Sequence, residues 1–270
     1  VHPPEECNAL KRLVNCGKDA EFLTKLTSAV NSERDEATQI LLAANADVNF
    51  GGEKGITPLM LAAKLDSTAT VDALISAGAL VNAVSNLGYT ALTLAAGAGS
   101  INSMKALIEA KADLEVCDNE WRTALLHAAI EGKADAISTL LEARADVDAI
   151  TDRGWTALWL ASTGAAADAL ITARADVHTR DKIGSTVLMN AASKGRLDAV
   201  KALLAAGARV SDRNYAGETA LLTSLQNTDV SAFQKEIIEA LLAAVQCVDR
   251  KNETVLHYGV RNRNVHISTL

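Results

Sequence analysis

Short runs of apolar residues alternate with polar ones along the chain at a spacing that favours helices. In residues 82–113, Leu92, Ala95 and Ala96 fall at i, i+3 and i+4, which places them on one face of a helix. A second apolar stripe of the same kind follows Gly99-Ser100. We predict two short helices joined by a tight turn and preceded by a polar, finger-like loop.

This pattern returns at a nearly fixed period, marked by the triplet Thr-x-Leu. The triplet begins at Thr24, Thr57, Thr90, Thr123, Thr156, Thr186, Thr219 and Thr254, with successive differences of 33, 33, 33, 33, 30, 33 and 35 residues. Such a period is typical of repeat proteins, in which each module buries its apolar face only against its neighbours. We predict an all-helical stack of about eight modules, in which the Thr hydroxyl caps the first helix.

The modules resemble the ankyrin repeat family. Its motifs are matched by Gly55-Ile56-Thr57-Pro58-Leu59, Leu61-Ala62-Ala63 and Ala46-Asp47-Val48-Asn49, and again at Gly154-Trp155-Thr156-Ala157-Leu158. The resemblance implies an all-α solenoid of stacked helix-turn-helix units with finger loops. It also implies a protein-binding scaffold or adaptor without enzymatic activity, which recognises another protein through its fingers and first-helix faces.

We divide the chain into residues 1–19, an N-terminal segment with a capping helix, and residues 20–270, the repeat array. The first unit is degenerate, with Phe22 where Gly is expected, and the last unit is incomplete. The chain also lacks an initiator Met, and two alternatives stay open. In the first, the chain is the recognition arm of a larger enzyme, channel or transporter; in the second, it is a structural subunit of a large assembly.

Two departures from the family pattern predict local structure. The unit from Thr156 is three residues short where its two helices should join. We expect either a changed stacking angle or a shortened first helix with unchanged curvature. Lys111, Arg144 and Arg174 stand where Gly usually ends the second helix, so we predict left-handed residues that carry a Cβ atom there.

Charge and cysteine content narrow the partners and the compartment. A net charge of −7 disfavours nucleic acid and anionic membranes, which attract concentrated Lys and Arg. The apolar residues 157–173 contain Asp168, and we interpret them as a buried helix pair rather than a membrane insertion.

Four scattered cysteines indicate free thiols in a reducing intracellular compartment, the cytoplasm, with organelle targeting left open. No motif for a cofactor or metal stands out.

Finger tips and first helices vary in residue type while the framework is fixed, and this variation indicates a tailored binding surface. We predict that the partner contacts Leu87, Tyr89, Trp121, Arg122, Arg153, Trp155, Trp159, Ile183, Met189 and Tyr215. The three tryptophans lie in adjoining modules, so they form one patch or, alternatively, each ring holds its own finger against the next helix. Trp121 stands where Gly is usual.

Overall fold

The computed structural model describes residues 46–226 and 232–248, together with Val30, Thr38, Gln39, Leu42 and Ala43. The N-terminal segment 1–19, for which we predict a capping helix, and the incomplete last repeat lie outside the described residues. The chain divides between Asp146 and Val147 into two compact units, here called the first and second units.

From residue 46 onward, the described part of the first unit contains three pairs of short helices. Their bounds are α1 Pro58–Lys64, α2 Thr68–Ser76, α3 Ala91–Ala98, α4 Ile101–Glu109, α5 Ala124–Ile130 and α6 Ala134–Glu142. The first helices α1, α3 and α5 pack side by side, and the second helices α2, α4 and α6 form a parallel layer behind them. A 3-10 turn over Glu53–Gly55 precedes α1.

The second unit continues the same plan. Its helices are α7 Ala157–Leu160, α8 Gly164–Thr172, α9 Val187–Ser193, α10 Leu197–Ala205, α11 Ala220–Gln226 and α12 Ala232–Val248. The first helices α7, α9 and α11 form one layer, and α8, α10 and α12 form the other. The described residues contain isolated bridges at Ile150–Thr156 and Arg180–Thr186 but no strand. The predicted all-α stack of helix pairs is confirmed.

Threonine starts most of the first helices, as the repeat pattern predicts. The Thr90 hydroxyl accepts the backbone N–H of Thr93 at 3.1 Å, which satisfies a donor that the first turn leaves free. The same bond is made at Thr57, Thr156 and Thr186. Thr123 makes no such capping bond. Pro58 occupies the first turn of α1, where a missing N–H costs nothing.

Small side chains let the first helices approach one another closely. Ala95 and Ala96 of α3 are fully buried, and so are their counterparts Ala62 and Ala63 in α1. Large residues fill the space between the two helix layers, among them Leu92 and Leu107. The core of each unit therefore lies between its layers and between neighbouring pairs, as expected for a repeat stack.

The repeat from Thr156 departs from its neighbours in the length of its first helix. Helix α7 has four residues, whereas α9 has seven and α3 has eight. It ends because Ala161 adopts an extended conformation, with φ −48° and ψ 113°, and Thr163 then caps α8. The shortened first helix is thus confirmed. Whether the stacking angle changes here or the curvature is unchanged stays a prediction.

The predicted left-handed residues after the second helices are confirmed. Lys111, Arg144 and Arg174 have φ values of 64°, 71° and 67°, so they adopt the left-handed conformation of Gly78 and Gly207 at the same position in other repeats. Each costs on the order of 1 kcal/mol relative to Gly. The repeat frame therefore fixes this turn regardless of the residue that occupies it.

Candidate functional site

Each finger is held by a side chain at its base. The Asp118 Oδ1 atom accepts the backbone N–H groups of Glu120 and Arg122 at 2.8 and 2.9 Å. Asp181 does the same for Ile183 and Ser185, at 3.0 and 2.8 Å. A left-handed residue then turns the chain into the first helix. These bonds give the finger one conformation, so its tip is presented with little entropy left to lose on binding.

Neighbouring fingers are also joined to one another through their backbones. In the first unit, the Asn119 N–H donates to the Leu87 carbonyl at 3.1 Å. In the second unit, the Tyr215 N–H donates to the Ile183 carbonyl at the same distance, and the Tyr215 ring lies against Gly184. Within each unit the fingers therefore form a row of rigid tips.

Four of the predicted contact residues are large apolar side chains exposed at these tips. Their exposed fractions are 49% for Leu87, 64% for Trp121, 62% for Ile183 and 82% for Tyr215. Trp121 is unusual because it has a φ of 60° at a position where the other described fingers have Gly. A bulky residue in this conformation costs free energy, and the ring of Trp121 stays mostly exposed.

Arg122 and Tyr89 belong to a cluster around the buried carboxylate of Asp118. The Arg122 Nε atom and the His127 Nε2 atom each lie 2.9 Å from Asp118 Oδ2. The Tyr89 ring meets the His127 ring edge-on, with 5.4 Å between centroids. These two predicted contact residues thus position the finger that carries Trp121.

Burial and hydrogen bonding together determine the protonation states of Asp118 and His127. Burial acts to raise the pKa of Asp118, but hydrogen bonds from Arg122, Glu120 and His127 outweigh it and hold that pKa below its usual value. Burial lowers the pKa of His127, although the bond to Asp118 opposes this effect. At neutral pH an ionised Asp118 therefore accepts a hydrogen bond from a neutral His127.

An open groove with a volume of about 420 Å³ lies in the second unit beside a stack of aromatic rings. The Trp155 and Trp159 rings stack with 6.4 Å between centroids and 9° between planes. The Arg153 guanidinium lies 5.0 Å above the Trp155 ring. Trp159 and Met189 are only 7% and 2% exposed and form the floor of the groove. Half-buried Trp155 and exposed Ile183 form its apolar rim.

The short helix α7 explains why the groove exists. A full-length first helix would extend by about another turn along α9, beside the groove residues Asn190, Ser193 and Lys194. Because that turn is absent, carbonyl groups at the end of α7 need other partners. The Asn190 Nδ2 atom donates to the Trp159 carbonyl at 2.8 Å, and Arg196 Nη1 donates to the Ala161 carbonyl at 2.9 Å.

The structure brings only some of the predicted residues together. Trp155, Trp159, Ile183 and Met189 line the groove, and Arg153 lies on its aromatic rim. Tyr215 lies on the next finger. Trp121 belongs to the first unit and the other two tryptophans to the second, so the single tryptophan patch stays a prediction.

Sequence reasoning missed three polar residues at the far end of the groove, which are Asn190, Lys194 and Arg196. The signal for them was the three-residue gap in the unit from Thr156. A shortened helix leaves carbonyls that the neighbouring repeat must satisfy, and polar residues within or just after its first helix are the natural donors.

The described residues also bear on metal binding and membrane insertion. No group of three or more His, Cys, Asp or Glu residues in this part of the chain is arranged to hold a metal ion. None of the helices in the same part is long and apolar enough to cross a membrane.

Comparisons with known proteins agree with the geometry. A family model described as ankyrin repeats, three copies, matches residues 5–85, 26–118, 78–151, 111–181, 161–244 and 188–270. Among solved structures, the crystal structure of the human ASB11 ankyrin repeat domain is similar, with a TM-score of 0.71 and 25% sequence identity. That alignment covers 81% of this chain and 96% of the other. No functionally curated protein matches the sequence.

Repeats of this kind are generally protein–protein interaction modules, and their fold is typically a binding scaffold without enzymatic activity. The period, the paired helices, the fingers and the family match all lead to one assignment. The chain belongs to the ankyrin repeat family.

Proposed function

We propose that this protein is an adaptor that recognises a partner protein through its finger tips and first-helix faces. The observation that carries the proposal is the groove of the second unit, where a half-buried Trp155 stands above a buried apolar floor. A concave apolar site with a few polar groups at its edge is the usual form of a binding site. The scaffold supplies shape and rigid spacing rather than reaction chemistry.

Energetics favour Trp155 as the main anchor. Its ring is already held by stacking on Trp159 and by the nearby Arg153 guanidinium. A partner that covers a preorganised ring gains contact area without paying to order it. Truncation of such a tryptophan commonly costs about 2 kcal/mol of binding free energy or more.

Exposed apolar tips in the first unit support a second area of contact. Leu87 and Trp121 lie on fingers joined by the hydrogen bond from Asn119 to the Leu87 carbonyl. The strained backbone of Trp121 is retained although the ring is mostly exposed. We infer that the ring contacts the partner, because a glycine would hold the same turn more stably.

The experiment that tests the proposal compares three forms of the full chain. The chain, its Trp155→Ala variant and a Leu80→Ala control are immobilised, and the proteins that each retains from a cell lysate are quantified by mass spectrometry. Leu80 is an exposed apolar residue outside the predicted contact set. We expect Trp155→Ala to lose about 90% or more of the captured partner, in line with its role as an anchor, while Leu80→Ala retains it.

Thermal unfolding of the same variants separates binding from folding. We expect Trp155→Ala to weaken capture far more than it lowers the melting temperature, because the half-buried ring lines the groove and keeps part of its surface exposed. Equal losses of fold and capture would mean that the ring only staples its own finger, and the proposal would then fail.

We also infer that the protein works in a reducing intracellular compartment such as the cytoplasm. Cys117 is an exposed free thiol, and partial burial together with nearby Glu115, Asp118 and Asp113 raises its pKa. An exposed thiol of this kind persists where disulfides are not formed. Fluorescence imaging of the tagged full chain tests this inference, and a secreted or surface location would contradict it.

A further inference from the structure

We propose that the groove of the second unit binds a segment of the partner in which an acidic side chain accompanies a large apolar one. The carboxylate lies at the end lined by Lys194 and Arg196, and the apolar side chain lies at the end lined by Trp155 and Ile183. This inference rests on the proposed function, because it names the chemistry of what the groove receives.

Two cations at one end of the groove have no carboxylate partner in the part of the chain that the structure describes. Arg196 is half-buried and donates through Nη1 to the carbonyls of Ala161, at 2.9 Å, and Trp159, at 3.5 Å. Lys194 is exposed at the end of α9. Within the described residues, neither cation forms an ion pair. A partly desolvated guanidinium without a counter-charge is a site that an anion stabilises.

The acidic residue that lines the groove is occupied within its own finger. Asp181 accepts the backbone N–H groups of Ile183 and Ser185, and it lies ahead of α9, whereas Lys194 and Arg196 follow that helix. The seven residues of α9 place these two ends roughly 10 Å apart. The groove is therefore polarised, with its uncompensated positive charge at the far end.

The near end offers an apolar surface instead. Trp155, Ile183 and the buried Met189 line it, and Trp159 forms the floor between the two ends. An aliphatic or aromatic side chain placed here removes exposed apolar surface of Ile183 and Trp155 from water. The spacing between the ends suits side chains a few residues apart in an extended segment.

Burial strengthens the cationic end. It lowers the pKa of Arg196, which nevertheless stays charged because guanidinium groups titrate far above neutral pH. A carboxylate that reaches this guanidinium forms a charge-assisted hydrogen bond in surroundings less polar than bulk water. The chain as a whole carries a net charge of −7, so this local positive site attracts acidic segments against the average charge of the surface.

A random peptide library of about twelve residues per member, displayed on phage, provides the probe. The full chain selects binders, and the enriched peptides are synthesised with a fluorescent label for polarisation measurements. We expect enriched peptides to carry Asp or Glu within a few positions of Leu, Ile, Phe or Trp. Replacing that acid by its amide should weaken binding by about fivefold.

Charge reversal in the protein identifies the end of the groove that reads the acid. Lys194→Glu should weaken binding of the acidic peptide by about fivefold or more, with little effect on binding of the amide peptide. The matched control is Lys105→Glu, which reverses an exposed lysine on α4 of the first unit and should leave binding unchanged. Arg196→Gln is measured only beside a melting curve, because Arg196 also satisfies the carbonyl of Ala161.

The outcomes separate this inference from the proposed function. If binding depends on Trp155 but not on the peptide acid or Lys194, the acidic partner is wrong while groove binding stands. If the enriched peptides ignore both Trp155 and Lys194, the groove is not the site. Self-association of the chain that Trp155→Ala abolishes, seen by sedimentation, would make a second copy the occupant and overturn the proposal.

Discussion

The repeat from Thr90 in the first unit and the repeat from Thr156 in the second begin alike and end differently. Both threonines cap their first helix with a bond to the residue three positions on. Helix α3 then runs for eight residues to the left-handed Gly99, whereas α7 stops after four at Ala161. The difference shows how the loss of three residues changes a surface without changing the fold.

The carbonyl groups at the two helix ends find different partners. In α3, the N–H groups of Gly99 and Ser100 donate to the Ala95 carbonyl at 2.8 and 2.9 Å, so the repeat completes its own cap. In α7, the side chains of Asn190 and Arg196 from the following repeat supply that role. The short repeat therefore exchanges a self-contained turn for an open groove edged by polar donors.

The residue four positions after the Thr that starts each repeat shows the same contrast. In the first unit, His127 bonds to Asp118 of its own finger and so fixes that finger. In the second unit, the corresponding Asn190 reaches back to the Trp159 carbonyl of the shortened repeat. One framework position thus serves the finger in one region and the truncated helix in the other.

The largest expected effect comes from adding volume at matched positions of the two repeats. Ala96 in α3 is fully buried, whereas Ser162, at the same distance from its Thr, is exposed. We expect Ala96→Leu to lower the free energy of unfolding by about 1 to 3 kcal/mol through overpacking. Ser162→Leu should change it by less than about 0.5 kcal/mol. Urea denaturation of both variants measures the difference, and equal losses would remove the structural contrast.

The next effect tests the exchange of hydrogen-bond partners. Asn190→Ala removes the donor to the Trp159 carbonyl, so we expect unfolding to become easier by about 1 to 2 kcal/mol. The control replaces Ala161-Ser162-Thr163 by the six residues found at 191–196, Ala-Ala-Ser-Lys-Gly-Arg, which restores the missing turn. In that background Asn190→Ala should cost little. The same cost in both backgrounds, measured by chemical denaturation, would contradict our account of α7.

A change of pH probes the first unit through His127. Because burial lowers the pKa of folded His127 below its usual 6.5, the unfolded chain takes up the proton first as the pH falls. Stability is complete above that usual value and declines below it, by at most about 1.4 kcal/mol for each pH unit. Melting temperatures between about pH 7.5 and pH 5.5 measure the decline. The His127→Gln variant should lose this part of the pH dependence, while Asp118 titrates at lower pH.

The smallest effect concerns the left-handed residue of the fingers. We expect Trp121→Gly to raise the free energy of unfolding by about 1 kcal/mol, because Gly adopts this conformation without strain. Gly154→Ala is the reverse test in the second unit. Its φ is 79° and no atom lies within 4 Å of an added Cβ, so it should lose about the same amount. A stability of Trp121→Gly below that of the parent would show that the ring packs in the fold.

Much of the fold was readable in the sequence because repetition supplies independent copies of one pattern. The spacing of Leu92, Ala95 and Ala96 predicted a helix face, and the Thr at each start predicted a cap that Thr90 and Thr156 make. The left-handed Lys111, Arg144 and Arg174 followed from their alignment with Gly78 and Gly207. These features depend on residues close together in the chain, and local sequence carries them.

The candidate site was predicted only in part. Trp155 and Ile183 were identified because they vary within a constant frame, and both line the groove. Arg122 was identified for the same reason, yet it binds the buried Asp118. Variation shows that a position is free of the framework, but it does not show whether the side chain faces solvent or a neighbouring carboxylate.

By itself the sequence determined the repeat, the starts of the first helices and the left-handed turn after the second helices, because these follow from periodicity, capping and backbone conformation within about 33 residues. Only the tertiary structure decided that the short repeat leaves a groove and that Asn190 and Arg196 complete its helix. The physical reason is that the unsatisfied carbonyls find their hydrogen-bond donors in the next repeat. That repeat lies about 30 residues away in the chain but is in direct contact in the fold.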